Sequence, residues 1–310
     1  LGADFSVLSS NPAGIGVFKK SEWVFTPSVS YEKISSKYMN TQKEDFKYNF
    51  NFQNFGVIVS GDISSSDEQV EWKNIQVGFG VNRLQSFNGR AIMEGMNKNS
   101  TILDVYSNYA QGIRYDKLHP FDTQLAFNTY LIDTVGSPTN YTQAFYGGAL
   151  QKKSILTSGG VNEMVVTLGG NYNDKFYIGG TLGFPFVNYE ELSSYKEIDA
   201  DETISNFSSL TISDDLSTVG SGFNFKFGII YRIVDWIRIS GAFHTPTFYS
   251  LTDTYSRKIE SDLESKGSYS DASPSGRYEY KLMTPMRTMG GLAFVFASYG
   301  TISAEYELVD

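Results

Sequence analysis

Hydrophobic and polar residues alternate along most of this chain with the period of two that marks a β-strand with one greasy face. In Trp23-Val24-Phe25-Thr26-Pro27-Ser28-Val29-Ser30-Tyr31, residues Trp23, Phe25, Val29 and Tyr31 share one face, and Val24, Thr26, Ser28 and Ser30 the other. Residues 46–61 alternate again, but Tyr48, Phe50 and Phe52 are out of phase with Phe55, Val57 and Val59. A one-residue slip inside a strand predicts a β-bulge near Gln53-Asn54. After a polar turn at Ser64-Ser65-Ser66-Asp67-Glu68, a third run carries Ile75, Val77, Phe79 and Val81 and is broken by Ser86-Phe87-Asn88-Gly89.

Three hairpins with short turns follow. Met164, Val166, Leu168 and Tyr172 lead to a turn at Asn173-Asp174, and Phe176, Ile178, Leu182, Phe184 and Phe186 return. Phe223, Phe225, Phe227, Ile229 and Tyr231 turn at Val234-Asp235 into Ile237, Ile239, Phe243, Tyr249 and Leu251. Tyr278, Tyr280, Leu282, Met286, Leu292, Phe294 and Phe296 hold one phase up to Ser298-Tyr299-Gly300, and Ile302, Tyr306 and Leu308 follow. Long polar stretches at 90–161, 190–222 and 252–276 separate these elements. Short turns at one end and long loops at the other predict an all-β fold, a transmembrane antiparallel β-barrel with periplasmic turns and extracellular loops. An aromatic-rich soluble sheet is the competing reading. About nine strands are legible; bacterial barrels usually close with an even number, and lipid does not tolerate an open edge, so the expectation is part of a larger barrel.

Composition supports strands over membrane helices. Aromatics are 15% of the 310 residues while mean hydropathy is only -0.25, as expected when greasy side chains occupy alternate positions. No stretch reaches the roughly 20 apolar residues a spanning helix needs. With no cysteine, thiolate metal sites, disulfides and cysteine nucleophiles are excluded. A net charge of -9 without a basic run argues against nucleic acid as a partner. The chain starts at Leu1 without a charged leader, so a signal peptide is expected to have been removed or to lie outside this sequence.

Asn11-Pro12-Ala13-Gly14 stands just ahead of the first strand. Proline fixes φ and restricts the residue before it, and glycine accepts φ values that others avoid, so the chain turns here from a short segment into the wall. This element, the strand order and the three hairpins resemble the outer-membrane long-chain fatty acid transporter family, the FadL/TodX type. Ser86-Phe87-Asn88-Gly89 and Tyr280-Lys281-Leu282-Met283-Thr284-Pro285 are further local similarities. The resemblance implies a barrel of about 14 strands plugged by a small N-terminal hatch. Residues 1–21 are then the end of the hatch and 22–310 a partial outer-membrane barrel. Asn11, Pro12, Ala13 and Gly14 become a gate, and Asn82, Ser86, Phe87, Asn88 and Gly89 a kink through which ligand leaves sideways. The implied setting is the outer membrane of a Gram-negative bacterium. The implied partners are membrane lipids and a fatty acid or other hydrophobic small molecule taken up passively by a monomer without a cofactor. The stretch 90–161 is long for this family, so no groove residues carry over to it.

The residues themselves leave two uses open at each candidate site. Phe5, Val7, Leu8, Ile15, Val17 and Phe18 flank the turn and either line a ligand site or pack the hatch against the wall. Phase points Lys226, Arg238, His244, Lys281 and Arg287 inward, and Arg238 and Arg287 are the preferred holders of a carboxylate. Glu22, Glu32, Glu71, Glu279, Glu305 and Glu307 point inward as well, so the cations also serve as cross-strand braces. Residues 101–111 and 120–133 carry a helical stripe of Ile102, Leu103, Tyr106, Phe121, Leu125 and Leu131, which caps a groove or packs within a loop. Catalysis is not expected: the two histidines, His119 and His244, have no metal-type spacing, and no Gly-x-Ser-x-Gly elbow is present. A structural or adhesive barrel is the alternative function, and an outer-membrane lipid hydrolase a remote one.

Overall fold

The computed structural model describes residues 4–63, 71–296 and 299–310. The turn expected at Ser64-Ser65-Ser66-Asp67-Glu68, Ser298 of the last expected turn, and residues 1–3 of the N-terminal segment lie outside them. Two short 3-10 helices, Phe5–Leu8 and Pro12–Val17, precede β1 (Glu22–Tyr38), β2 (Thr41–Asp62), β3 (Trp72–Ser86) and β4 (Gly89–Asn97). A compact insertion follows, made of α1 (Ile102–Ala110), α2 (Thr123–Asn128), β5 (Ile132–Val135) and β6 (Ser137–Gln143). The long strands β7 (Ala149–Tyr172), β8 (Phe176–Ile198) and β9 (Ser209–Val234) come next. β10 (Ile237–His244), β11 (Phe248–Leu263), β12 (Gly267–Ala272), β13 (Gly276–Met283), β14 (Arg287–Phe296) and β15 (Gly300–Val309) complete the order.

Thirteen strands form one antiparallel sheet whose main path is β1-β2-β3-β7-β8-β9-β10-β14-β15, and β5 and β6 form a separate hairpin. The nine positions of that path are the nine runs read from alternation. Extra strands arise because three positions are interrupted along their length. β3 and β4 both pair with β7; β10 and β11 both pair with β9; β13 and β14 pair with β11 and β10. The sheet curls into an open half-barrel, and among the described residues β1 pairs with β2 alone and β15 with β14 alone. Its convex face carries exposed Trp23, Phe25, Phe50, Phe79, Leu168, Phe184, Phe225 and Phe243, and its concave face holds the hatch.

Several local expectations meet the structure directly. Pairing passes from Thr26↔Asn54 to Pro27↔Phe52, so Gln53 is the extra residue of the anticipated bulge. Asn173 and Asp174 both have φ of 52°, the left-handed centre of a turn closed by Lys175 N donating to the Tyr172 carbonyl, within a three-residue connection from Tyr172 to Phe176. The next turn falls at Asp235-Trp236, one residue later than its sequence suggested.

Other expectations are corrected. The stretches 190–222 and 252–276 are mostly ladder: β8 runs to Ile198, β9 starts at Ser209, and β11 and β12 form a hairpin. The stretch 90–161 holds β4, both α-helices, β5, β6 and the first half of β7. These strand halves lie beyond the apolar band, where polar residues interrupt the alternation of hydrophobic ones. Phase also flips at Pro246 and Pro285, each in a short break between strand halves. His244 faces inward opposite Lys226, yet beyond Pro246 it is Tyr249 and Leu251 that face inward, opposite Gly222 and Gly220. Glu279 and Lys281, opposite Thr252 and Ser250, therefore lie on the outer face, and Tyr280 reaches Asp253 on the inner one.

At the level of the hatch the inner wall is paved with glycine. Gly56 pairs with Gly80, and Gly169, Gly179 and Gly228 stand side by side on β7, β8 and β9. A Cβ at Gly56 or Gly80 would fall 2.1 or 2.5 Å from Phe5 Cζ, one at Gly169 2.4 Å from Ile15 Cγ2, and one at Gly179 2.2 Å from the Pro12 carbonyl oxygen. The missing side chains let the two 3-10 helices lie directly on the strand backbones. We predict that Gly179→Ala, which overpacks this contact at a cost of about 1–3 kcal/mol, loosens the hatch without unfolding the wall. Limited proteolysis should cut residues 4–20 faster in the variant, with an unchanged β-sheet circular dichroism signal.

Candidate functional site

The hatch is tied down by caps, apolar packing and a buried polar cluster. Asn11 caps the second 3-10 helix, accepting from Ala13 N at 3.1 Å, and its Nδ2 donates to the Gly241 carbonyl at 3.4 Å. Pro12 occupies the first turn, where its missing N–H costs nothing. Phe5, Leu8, Ile15 and Phe18 are buried and pack with Ile58 and Val165 of the wall, with Val7 at the margin. As placed, these side chains hold the hatch in its seat. Between hatch and wall a cavity of about 160 Å³ is lined by Val7, Ser10, Asn11, Gly14, Arg238 and Glu305, among others.

Beside the hatch lies a charged group that alternation did not single out, Glu163 of β7. It is fully buried, ion-paired with buried Lys226, and accepts from Asn224 Nδ2 at 3.0 Å and Ser9 Oγ at 2.8 Å. His244 Nε2 stands 2.6 Å from the Ser10 carbonyl oxygen, a second tie between wall and hatch. Arg287 faces inward and pairs with Glu307 at 3.4 Å, so that cation braces neighbouring strands. Arg238 is only partly exposed, and its Nε has no hydrogen-bond partner among the described residues. The sequence signal for Glu163 was a lone carboxylate in the inward phase of an otherwise apolar strand.

The wall forks next to this cluster. Pairing of β2 with β3 runs from Asp62↔Asn74 to Asn54↔Asn82 and stops. Beyond that level residues 41–52 of β2 pair only with β1, while residues 83–86 of β3 and all of β4 pair only with β7. Ser86 and Gly89 are the facing ends of β3 and β4; Phe87 N donates to the Gly159 carbonyl, and Asn88 Nδ2 to Ser86 Oγ. Side chains bridge the fork: Arg90 meets Asp45 at 2.9 Å, Glu94 meets Lys43 at 3.3 Å, and Lys47 Nζ donates to the Thr157 carbonyl at 3.2 Å. Such partly exposed ion pairs are weak and screened by salt, so this is the softest seam in the wall. A cleft of about 240 Å³ opens here, lined by residues 86–91 with Glu32, Ile34, Ile155 and Thr157.

The insertion after β4 closes the concave face at the other end. Its core joins Leu103, Tyr106, Leu118, Leu125, Leu131, Ile132, Tyr141 and Phe145 to Phe207, Leu210, Ile212, Ile259 and Leu263, reaching the inner faces of β9 and β11. The helical stripe read from sequence is therefore a cap, with α1 and α2 at its centre. Thr101 and Asp104 form a reciprocal capping box at the start of α1. Buried Glu197 anchors that helix end, accepting from Thr101 Oγ1, from Ile102 N at 2.9 Å, from Gln151 Nε2 at 2.8 Å and from the Tyr195 hydroxyl at 2.6 Å. A carboxylate at a helix N-terminus with four donors is well compensated despite its burial.

Under the cap a cavity of about 430 Å³ is lined by Tyr38, Met93, Ile102, Tyr106, Tyr195 and Ile212, with Gln151, Lys153, Asp214 and Arg257 as polar groups. Arg257 is held in a fork by Asp214, with Nε–Oδ1 at 2.5 Å and Nη2–Oδ2 at 3.1 Å. Burial pushes the Tyr106 phenol up to about 12, so it stays a neutral donor at physiological pH. A larger hollow of about 670 Å³, floored by Ser154, Ser194, Ser213 and Ser256, belongs to the outer surface and not to this lumen. Among the described residues no cluster of three or more acidic or histidine side chains suits a metal ion, and no helix is long and apolar enough to cross a membrane.

Glu197→Ala should release the cap while leaving the wall intact, because it orphans buried donors on α1 and β7 at once. Hydrogen exchange at residues 101–111 is the check. Protection should fall by about tenfold or more, the size of losing one charge-assisted hydrogen bond, with β8–β9 amides unchanged below Ser193.

No protein-family model matches the chain, and no curated protein matches it. Among solved structures, the Pseudomonas putida toluene transporter TodX is similar with a TM-score of 0.52 and 10% identity, over 97% of this chain and 64% of that one. The CymD monoaromatic hydrocarbon channel is similar with a TM-score of 0.45 and 10% identity, over 100% of this chain and 65% of that one. This chain thus spans less than two thirds of the length of either structure. At such identity the likeness to TodX is one of fold alone.

Proposed function

We propose that this chain forms much of the wall of an outer-membrane transport protein for passive uptake of hydrophobic compounds, long-chain fatty acids included. In the complete protein the sheet closes, at about 14 strands, into a barrel, because an open edge is not tolerated in lipid. Cargo enters beneath the α1–α2 cap, where phenols and aliphatic side chains offer an apolar wall with a few polar contacts. It descends to the hatch at Asn11, Pro12, Ala13 and Gly14, whose rearrangement exposes Phe5, Val7, Leu8, Ile15 and Phe18. It leaves sideways between β2 and β4, past Asn82 and residues 86–89.

The observation that carries this reading is the fork. A wall whose main-chain ladder stops at Asn54↔Asn82, directly beside a plugged lumen, offers a route out that a purely structural or adhesive barrel does not need. No energy source is involved, since the membrane itself is the better solvent for an apolar solute. The charged partners already in place favour cargo that is mostly uncharged: Lys226, Arg257 and Arg287 each face a carboxylate. Arg238 remains the candidate for holding an acidic head group, since it lines the hatch cavity and its buried Nε has no hydrogen-bond partner among the described residues.

The chain contains no cysteine, so paired thiols can be introduced cleanly. Asp45→Cys and Arg90→Cys joined by a short cleavable crosslinker should lower uptake of an aromatic hydrocarbon or fatty acid into vesicles by about tenfold or more, as expected of a blocked gating step. Cleavage of the linker should restore it. Unchanged uptake in the crosslinked protein would remove the lateral route, and uptake by the uncrosslinked protein no faster than by empty vesicles would remove the transport function.

A further inference from the structure

Hatch and fork meet at one hydroxyl. Asn82 is the last residue of β3 to pair with β2, and its side chain is 4% exposed. Its Nδ2 donates to Ser9 Oγ at 2.7 Å, and Ser9 Oγ donates onward to Glu163 Oε2 at 2.8 Å. Asn82 Oδ1 has no hydrogen-bond partner among the described residues, so Ser9 is the group that orients this amide. On the far side of Glu163 stand Lys226 and Asn224, both buried, which fix the carboxylate from β9. The line Asn82–Ser9–Glu163–Lys226 therefore crosses from β3 through the hatch to β7 and β9 at the level where the β2–β3 ladder ends.

We propose that Ser9, Asn82 and Glu163 form a latch that couples the seating of the hatch to the closure of the fork. Ser9 is the positioning residue. With the hatch seated, its hydroxyl completes a buried chain of donors and acceptors that holds the Asn82 side chain and, through it, the last rung of the β2–β3 ladder. When the hatch moves, the hydroxyl leaves, and a buried amide donor and one lone pair of a buried carboxylate lose their partner together. Both are costly to leave unmade, so the rung is strained at the same moment as the hatch is withdrawn. Coupling of this kind is reciprocal: opening the rung must loosen the hatch by the same factor. The role given to the latch rests on the lateral-exit reading above, but the coupling itself is readable without any transport.

Hydrogen exchange of the intact protein in lipid tests it, with fork amides at residues 54–56 and 80–82 and hatch amides at residues 13–18 as the two readouts. Ser9→Ala should speed exchange at the fork, and Asn82→Ala should speed exchange in the hatch, each by several-fold up to about tenfold, the size of losing one buried hydrogen bond. The double variant should be no faster than Ser9→Ala alone, because Ser9→Ala already removes the link that Asn82→Ala removes. Ser9→Thr, which keeps the hydroxyl, should restore slow exchange. If Asn82→Ala fails to assemble, Asn82→Asp, equal in shape but unable to donate when ionised, takes its place with the same expectation. Effects confined to the substituted element, or effects that add in the double variant, would overturn the latch. Failure of vesicle uptake with coupled exchange intact would count against the transport reading and not against the latch.

Discussion

A sheet that stands in lipid must pair every main-chain N–H and C=O with a neighbouring strand, because nothing else there can satisfy them. β7, β8 and β9 meet this demand along their paired lengths, with ladders continuous through Leu150↔Ile198 to Tyr172↔Phe176 and nearly so on β8–β9. They form the stiff back of the half-barrel. The hatch seats on its glycine-paved inner face, and the cap on its outer ends. Against that background the lapse of pairing between β2 and β4 is, among the described residues, the seam where side chains replace the ladder. The hatch lies on one side of it, the cleft at residues 86–91 in it, and the cap cavity beyond.

The molecule has two cores that do different work. The hatch core is small, built from Phe5, Leu8, Ile15 and Phe18 against Ile58 and Val165, and it sits on backbone where glycine has removed the side chains. The cap core is larger and includes Leu210, Ile259 and Leu263 from strands that have left the apolar band, with Phe207 from the connection before β9. Those strand extensions stand on the wall and give the insertion a fixed platform, with Glu197 pinning the first helix to it.

The sequence exposed its organisation wherever lipid demands one greasy face. Trp23 to Tyr31, Met164 to Phe186 and Phe223 to Phe243 could be assigned to faces correctly, and the slip at Gln53 marked a real bulge. Beyond the apolar band that signal ends. Residues 190–198 and 209–222 are ladder whose scattered apolar side chains, such as Leu210 and Ile212, face the cap without regular alternation, so they read as loops. Pro246 and Pro285 each hid a change of face, which turned Leu251 inward and Lys281 outward. The polar cluster was half legible: Lys226 and His244 were placed inward by phase, but Glu163, Ser9 and Asn224 are brought together only by the hatch lying across three strands. The Asn11-Pro12-Ala13-Gly14 element was read as a turn and is a helix cap, with Asn11 supplying the cap and Pro12 the first turn.

The central claim is that apolar cargo passes from the lumen through the fork. The most direct measurement is anomalous scattering from crystals of the intact protein soaked with a brominated arene. Bromine density under the α1–α2 cap and in the cleft at residues 86–91, beside Glu32 and Ile34, is the predicted result. Density running past the hatch along the barrel axis, with the cleft empty, would contradict it.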